Sequence, residues 1–167
     1  MKKIIAVFIM LSFVVLGCVP QSAIVPEKTQ LQIREFQTRS YETNDTKMVM
    51  KALLNVLQDD GFIVKNANTE LGLLTSTKEV DVQNSGEAIL STLLAGDKAR
   101  YKKNSIIECS ANVSEFGKET KVRVNFQVKT LDNQGGVMNV KPIEDGNYYQ
   151  TFFSKVDKGI FIQKEKL

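Results

Sequence analysis

Between residues 106 and 129 the chain alternates between apolar and polar side chains, and few folds accommodate that pattern. Ile107, Cys109, Ala111 and Val113 point one way, while Glu108, Ser110, Asn112 and Ser114 point the other. After Phe116-Gly117-Lys118-Glu119 the alternation resumes. Val122, Val124, Phe126 and Val128 interleave with Lys121, Arg123, Asn125, Gln127 and Lys129. A period of two over such lengths specifies antiparallel strands with one dry face and one wet face. The wet face of the second strand carries the cations Lys121, Arg123 and Lys129. Glu108 on the neighbouring strand is placed to pair with one of them, adding a fraction of a kcal/mol. A third strand is expected over 137–140, beyond a turn at 132–136, stopping near Pro142.

The remaining segments supply what the dry face needs. Leu31 and Ile33 alternate with Gln32 and Arg34, which predicts a first strand over 31–37. The phase changes before Phe36, so a bulge or the strand's end is expected there. Residues 45–60 predict a helix capped by Asn44 or Asp45, with Val49, Met50, Leu53, Leu54, Val56 and Leu57 on one apolar face. Gly61 is placed to end it in a left-handed conformation. A hairpin follows over 62–78, with Asn66-Ala67-Asn68-Thr69 as turn chemistry. Around 88–96 a short amphipathic helix is expected, ahead of Lys98, Arg100, Lys102 and Lys103. That segment is either a docking element for an anionic surface or partner, or a packed helix with a solvated basic loop. A closing helix starts at an Asn147 cap and places Tyr149, Phe152, Phe153, Val156 and Ile160 on one face. Gly159 costs about 1 kcal/mol inside a helix. The helix is therefore expected to fray there, leaving 160–162 as an extended tail. These elements define an α+β fold: a single antiparallel sheet with two main helices packed on one face, a two-layer sandwich.

Composition removes several chemistries. The chain has no histidine, which excludes imidazole-based nucleophilic catalysis, imidazole metal sites and histidine pH switching. It has two cysteines, Cys18 and Cys109. Cys109 lies on the apolar side of its strand, with no basic neighbour in sequence to favour the thiolate, and reads as a buried structural thiol. No phosphate-binding loop, dinucleotide fingerprint or zinc spacing is present. Asp59-Asp60 lacks the rest of a calcium loop and reads as solvent-exposed. No catalytic residue, metal site or bound cofactor is expected.

The amino terminus gives an address. Lys2 and Lys3 precede an apolar run over 4–16 broken only by Ser12, and Val15-Leu16-Gly17-Cys18 closes it. The run is shorter than the roughly 20 residues that span a bilayer. Basic start, short apolar stretch and Gly-Cys together resemble a bacterial lipoprotein signal peptide ending in its lipobox. The resemblance implies a thioether diacylglycerol on Cys18, cleavage before it, and acylation of the freed amine. A plain secretory signal and an uncleaved short anchor are the alternatives. On the lipoprotein reading, residues 1–17 are the signal, 18–29 the lipidated end and tether, and 30–167 a single domain. The tether VPQSAIVPEKT reaches at most about 35 Å when extended. Removing Lys2 and Lys3 takes the formal charge from +3 to +1, so overall charge gives no support for nucleic-acid binding.

Two further stretches carry a resemblance. KALLNVLQDDGFIVKNANTELGLLTST and YYQTFFSKVDKGIFIQ are similar to segments of small envelope lipoproteins. Their style is that of the helix-grip domain in an accessory lipoprotein of the outer-membrane barrel-assembly machinery. The resemblance implies a helix-grip-like fold and an envelope compartment, and transfers no catalytic residue. Val19, rather than Asp, after Cys18 implies the outer membrane, facing the periplasm. The function expected is a lipid-anchored, non-enzymatic module that binds or scaffolds another envelope protein. The alternative is a carrier holding an apolar ligand or lipid between helices and sheet; an enzyme would need carboxylates or a Ser/Lys pair that no spacing indicates. The candidate interaction surface comprises Lys98, Arg100, Lys102, Lys103, Lys121, Arg123 and Lys129.

Overall fold

The alternating segment forms a long hairpin, β4 (Lys102–Phe116) and β5 (Glu119–Asp132), with Cys109 opposite Phe126 and Val113 opposite Val122. The structure, a computed structural model, describes residues 29–81 and 102–165. The expected leader, most of the tether, and the helix with Lys98 and Arg100 fall outside the described residues. The described chain also contains α1 (Gln30–Phe36), β1 (Thr38–Tyr41), α2 (Thr46–Asp59), β2 (Ile63–Asn68), β3 (Leu73–Asp81), β6 (Val137–Pro142) and α3 (Gly146–Glu165). The fold is mixed α+β: three described helices and one antiparallel sheet of six described strands. The sheet order is β1-β5-β4-β3-β2, with β6 also paired to β5.

Because β4 occupies one edge of β5, β1 and β6 share the other. β1 covers Thr120 to Arg123 and β6 covers Gln127 to Leu131. Between them β5 is completed by parts that are not strands. Val124 N donates to Gln37 O at 2.9 Å, and Ile143 N donates to Phe126 O at 2.9 Å. Phe126 N donates to the Tyr149 hydroxyl at 3.1 Å, which also accepts from Gln37 Nε2 at 3.3 Å. Tyr149 is fully buried. A tyrosine serves here because its ring fills apolar space while its oxygen accepts from backbone that would otherwise lack a partner.

The dry face is Cys109, Ala111 and Val113 of β4 with Val122, Val124 and Phe126 of β5, under α2 and α3. The Phe126 ring has Phe62, Tyr148, Tyr149 and Phe152 around it, with centroids 5.0–5.9 Å away. α2 begins where Asp45 Oδ1 accepts from Met48 N at 2.9 Å. It ends in a left-handed Gly61, φ +81°, with Gly61 N bonded to Gln58 O and Phe62 N to Leu57 O. That double closure satisfies two orphan carbonyls and turns the chain into β2.

Five local expectations need correction. The segment expected as a strand over 31–37 is α1. Thr29 and Gln32 form a reciprocal capping box, and Ile33 with Phe36 lies on one helical face, so capping overrides a short alternation. The cap of α3 is Asp145, two residues earlier than Asn147: its Oδ1 accepts from Asn147 N at 2.9 Å. α3 does not fray at Gly159 but runs to Glu165, with 160–162 helical. There Gly159 faces α2; a Cβ at that position would lie at ordinary contact distance, 3.5 Å from Ala52 Cβ and 3.7 Å from Val56 Cγ2. Asp60 is not free in solvent but pairs with Lys155 of α3. The hairpin turn also falls at 69–72, later than Asn66–Thr69, because β2 continues through Asn68.

Gly72, φ +65°, packs so tightly that a Cβ would sit 1.9 Å from Val113 O. Gly72→Ala should therefore cost about 2 kcal/mol or more, from strain and overlap together. Gly159→Ala meets only ordinary contacts and should gain about 0.5–1 kcal/mol from helix propensity. Denaturant unfolding of the two variants checks both signs. Tyr149→Phe keeps the ring but orphans a buried N–H, and the same measurement should show a loss of about 1–3 kcal/mol.

Candidate functional site: the open face of the sheet

The face opposite the helices is built in rows by strand register. One row runs Thr38, Arg123, Asn112, Leu73 and Asn68 across β1, β5, β4, β3 and β2. Beside it stand Ser40, Lys121 and Ser114. On the other side come Asn125, Ser110, Thr75 and Asn66, then Pro142, Gln127, Glu108, Thr77 and Ile63. The last row is Val140, Lys129, Ile106 and Glu79. A shallow groove of about 380 Å³ crosses the middle rows, lined by Thr75, Thr77, Ser110, Asn125, Gln127 and Lys65, among others. Lys65 reaches it from the bulge that shifts the β2–β3 register between Val64 and Asn66.

The expected cations among the described residues do not gather into one patch. Lys102 opens β4 opposite Asp132, and Lys103 is exposed at the neighbouring register shift. Ser114, the cross-strand neighbour of Lys121, lies roughly 35 Å further along β4 by the rise per residue. Lys129 carries the ion pair expected of Glu108. Its Nζ donates to Glu108 Oε1 at 3.0 Å, and Gln127 Nε2 donates to Glu108 Oε2 at 2.6 Å. The Gln127 bond, and then Lys129, hold the Glu108 carboxyl below its usual range. Lys121 lies over the exposed Phe116 ring, its Nζ 4.4 Å from the centroid. Arg123 is exposed, with no carboxylate partner among the described residues.

A second cleft, which the sequence did not indicate, lies between α1, β1 and α3. It measures about 620 Å³ and is lined by Gln32, Glu35, Phe36, Arg39 and Gln150, among others. The Arg39 guanidinium sits over the Phe153 ring at 5.4 Å and 3.6 Å from Asp157 Oδ2. Burial, and then the charge of Asp157, raise the nearby Tyr41 phenol. These residues come from segments more than a hundred positions apart, so only the fold brings them together. On the buried side, Cys109 is 2% exposed, and desolvation pushes its thiol up to about 12. Among the described residues no set of three or more Cys, Asp or Glu side chains converges as for a metal ion. No described helix is long and apolar enough to cross a membrane.

No protein-family profile matches this chain, and no curated protein does. Among solved structures it is similar to a TBP-like protein from Parabacteroides distasonis, at 11% identity, covering 74% of this chain and 90% of that one with a TM-score of 0.39.

The Glu108 contacts have a pH signature. A carboxyl held low in the folded state stabilises the fold above its unfolded pKa, and that contribution is lost as pH falls through the folded one. Glu108→Gln should cost about 0.5 kcal/mol at neutral pH, as a partly exposed pair does. Denaturant titrations below the carboxylate range should show wild type and variant converging.

Proposed function

We propose that this chain is a lipid-anchored, non-enzymatic module of the bacterial cell envelope. It would bind another envelope protein through the open face of its sheet. The observation that carries the reading is the division of the sheet into two unlike faces. One is filled by α2, α3 and an aromatic cluster. The other presents a mainly polar, partly cationic array across the six described strands, with Ile63, Leu73 and Val140 exposed among the polar side chains, and the described helices pack on the opposite side. A face of this kind, built on rigid strands, is suited to recognition. The thioether lipid on Cys18 would supply the anchor, and the first described helix is capped at Thr29, eleven residues later. Two acyl signals would suffice to hold it stably. Val19 favours the outer membrane, facing the periplasm.

The carrier reading is less well supported. An apolar ligand between helices and sheet would need the space that Phe62, Phe126, Tyr148, Tyr149 and Phe152 occupy. The reading includes no nucleic-acid partner and no cofactor beyond the covalent diacylglycerol and N-acyl chain.

Two measurements test the proposal. Cys18→Ser should move the protein from the membrane fraction to the soluble fraction and abolish incorporation of labelled fatty acid. An unmodified thiol at the mature N-terminus of a freely soluble wild-type chain would defeat the anchor. Photo-crosslinkers placed along the open face of the full chain in intact cells should trap a stoichiometric envelope protein. Trapping only from the helical face would defeat the binding surface.

A further inference from the structure

The three cations of β5 are not equivalent, and the difference points to the chemistry of the partner. Lys129 is neutralised inside the fold by Glu108. Lys121 and Arg123 are not. Their register neighbours on both sides are Ser40 and Ser114, and Thr38 and Asn112. All four are neutral hydrogen-bonding side chains, and each row places a cation between two of them. Two positive charges about 6.7 Å apart on one strand repel mildly, and among the described residues no ion pair offsets this. Lys121 is also positioned, its ammonium lying over the Phe116 ring.

Resting on the reading of the open face as a binding surface, we infer that the Lys121–Arg123 end docks an extended acidic segment of the partner protein, with carboxylates at alternate positions. An extended chain repeats side chains on one face at the same spacing as β5 itself. Carboxylates at positions i and i+2 would therefore meet the ammonium and the guanidinium together. Arg123 can take its carboxylate with two parallel bonds. The hydroxyls and the Asn112 amide donate to the remaining lone pairs. The footprint is bounded: Glu119 lies two positions beyond Lys121 on β5, and Glu108 closes the other side. Exposed Glu70, Glu115 and Glu119 surround this end of the sheet. A planar anionic surface would meet all three together, whereas a single extended segment can lay its carboxylates on Lys121 and Arg123 alone, so a protein segment fits better than headgroups.

The test combines two measurements on the full chain. Purified protein is titrated with an alternating Glu-Ser peptide and with a peptide of the same composition carrying its glutamates in one block. The alternating peptide should bind more tightly, and Lys121→Ser/Arg123→Ser should weaken it by about tenfold or more. Lys129→Gln should leave it within about twofold, and unchanged thermal unfolding would show that each variant is folded. In intact cells, a photo-crosslinker at Ser40 or Ser114 should yield a crosslinked peptide rich in Asp and Glu. Equal binding of the two peptides, or an apolar or basic crosslinked segment, overturns the inference while leaving the open face as a binding surface. Crosslinks to lipid from these positions overturn it in favour of a membrane surface. No trapped protein from any open-face position removes both readings.

Discussion

The structure depends on how one edge of β5 is shared. β5 pairs with β4 along its whole length on one side. On the other it meets two short strands that do not touch end to end. A gap of this kind exposes backbone N–H and C=O groups in the middle of a buried sheet, where an unpaired group costs about 1–3 kcal/mol. Gln37, Ile143 and the Tyr149 hydroxyl close it. Because Tyr149 is also the first core residue of α3, the same side chain ties the closing helix to the sheet's central strand. The stacking of Phe36, Tyr148 and Phe126 against Tyr149 follows from where that hydroxyl must point.

The two faces of the sheet show how electrostatics and packing divide the work. Away from the open face, polar groups are few, and two of them serve the backbone. Thr120 Oγ1 donates to Thr43 O at 2.7 Å, and Asp132 accepts from Gln134 N and Gly136 N in the β5–β6 turn. On the open side, polar side chains meet water and one another. The Glu108–Gln127–Lys129 contacts consume one cation, and Lys155–Asp60 and Arg39–Asp157 do the same on the helical side. Charges left unmatched at the Lys121–Arg123 end are set apart by that bookkeeping, rather than by any global excess of positive charge.

Much of the architecture was legible because one signal dominated it. Strict alternation placed β4 and β5, and the stripes from Val49 to Leu57 and from Tyr149 to Ile160 placed the long helices. Glu108 was recognised as a partner for a β5 cation from strand order alone. The misread elements are those where two short-range signals compete. At 31–37, two alternating pairs mimic a strand, while Thr29 and Gln32, just outside or at the edge of that pattern, decide for a helix. Gly159 carries a helix penalty that is outweighed by the burial of Val156 and Ile160 on either side of it, a packing relation the sequence does not display. The cleft around Arg39 and the closure by Tyr149 were invisible because both join distant segments. The candidate cations were read as one surface, and those among the described residues fall at two ends, a separation that depends on strand length and register.

The seclusion of Cys109 bears on how such a chain matures. Its sulfur lies beneath α2 and α3, and desolvation keeps it a thiol up to about 12. Thiol–disulfide exchange requires thiolate and access, and the folded domain offers neither. In an oxidising compartment the folded domain would hold Cys109 out of reach of disulfide-forming catalysts. Once the domain is folded, Cys109 would not be drawn into mixed disulfides with neighbouring proteins, and contacts made over this part of the molecule would stay reversible.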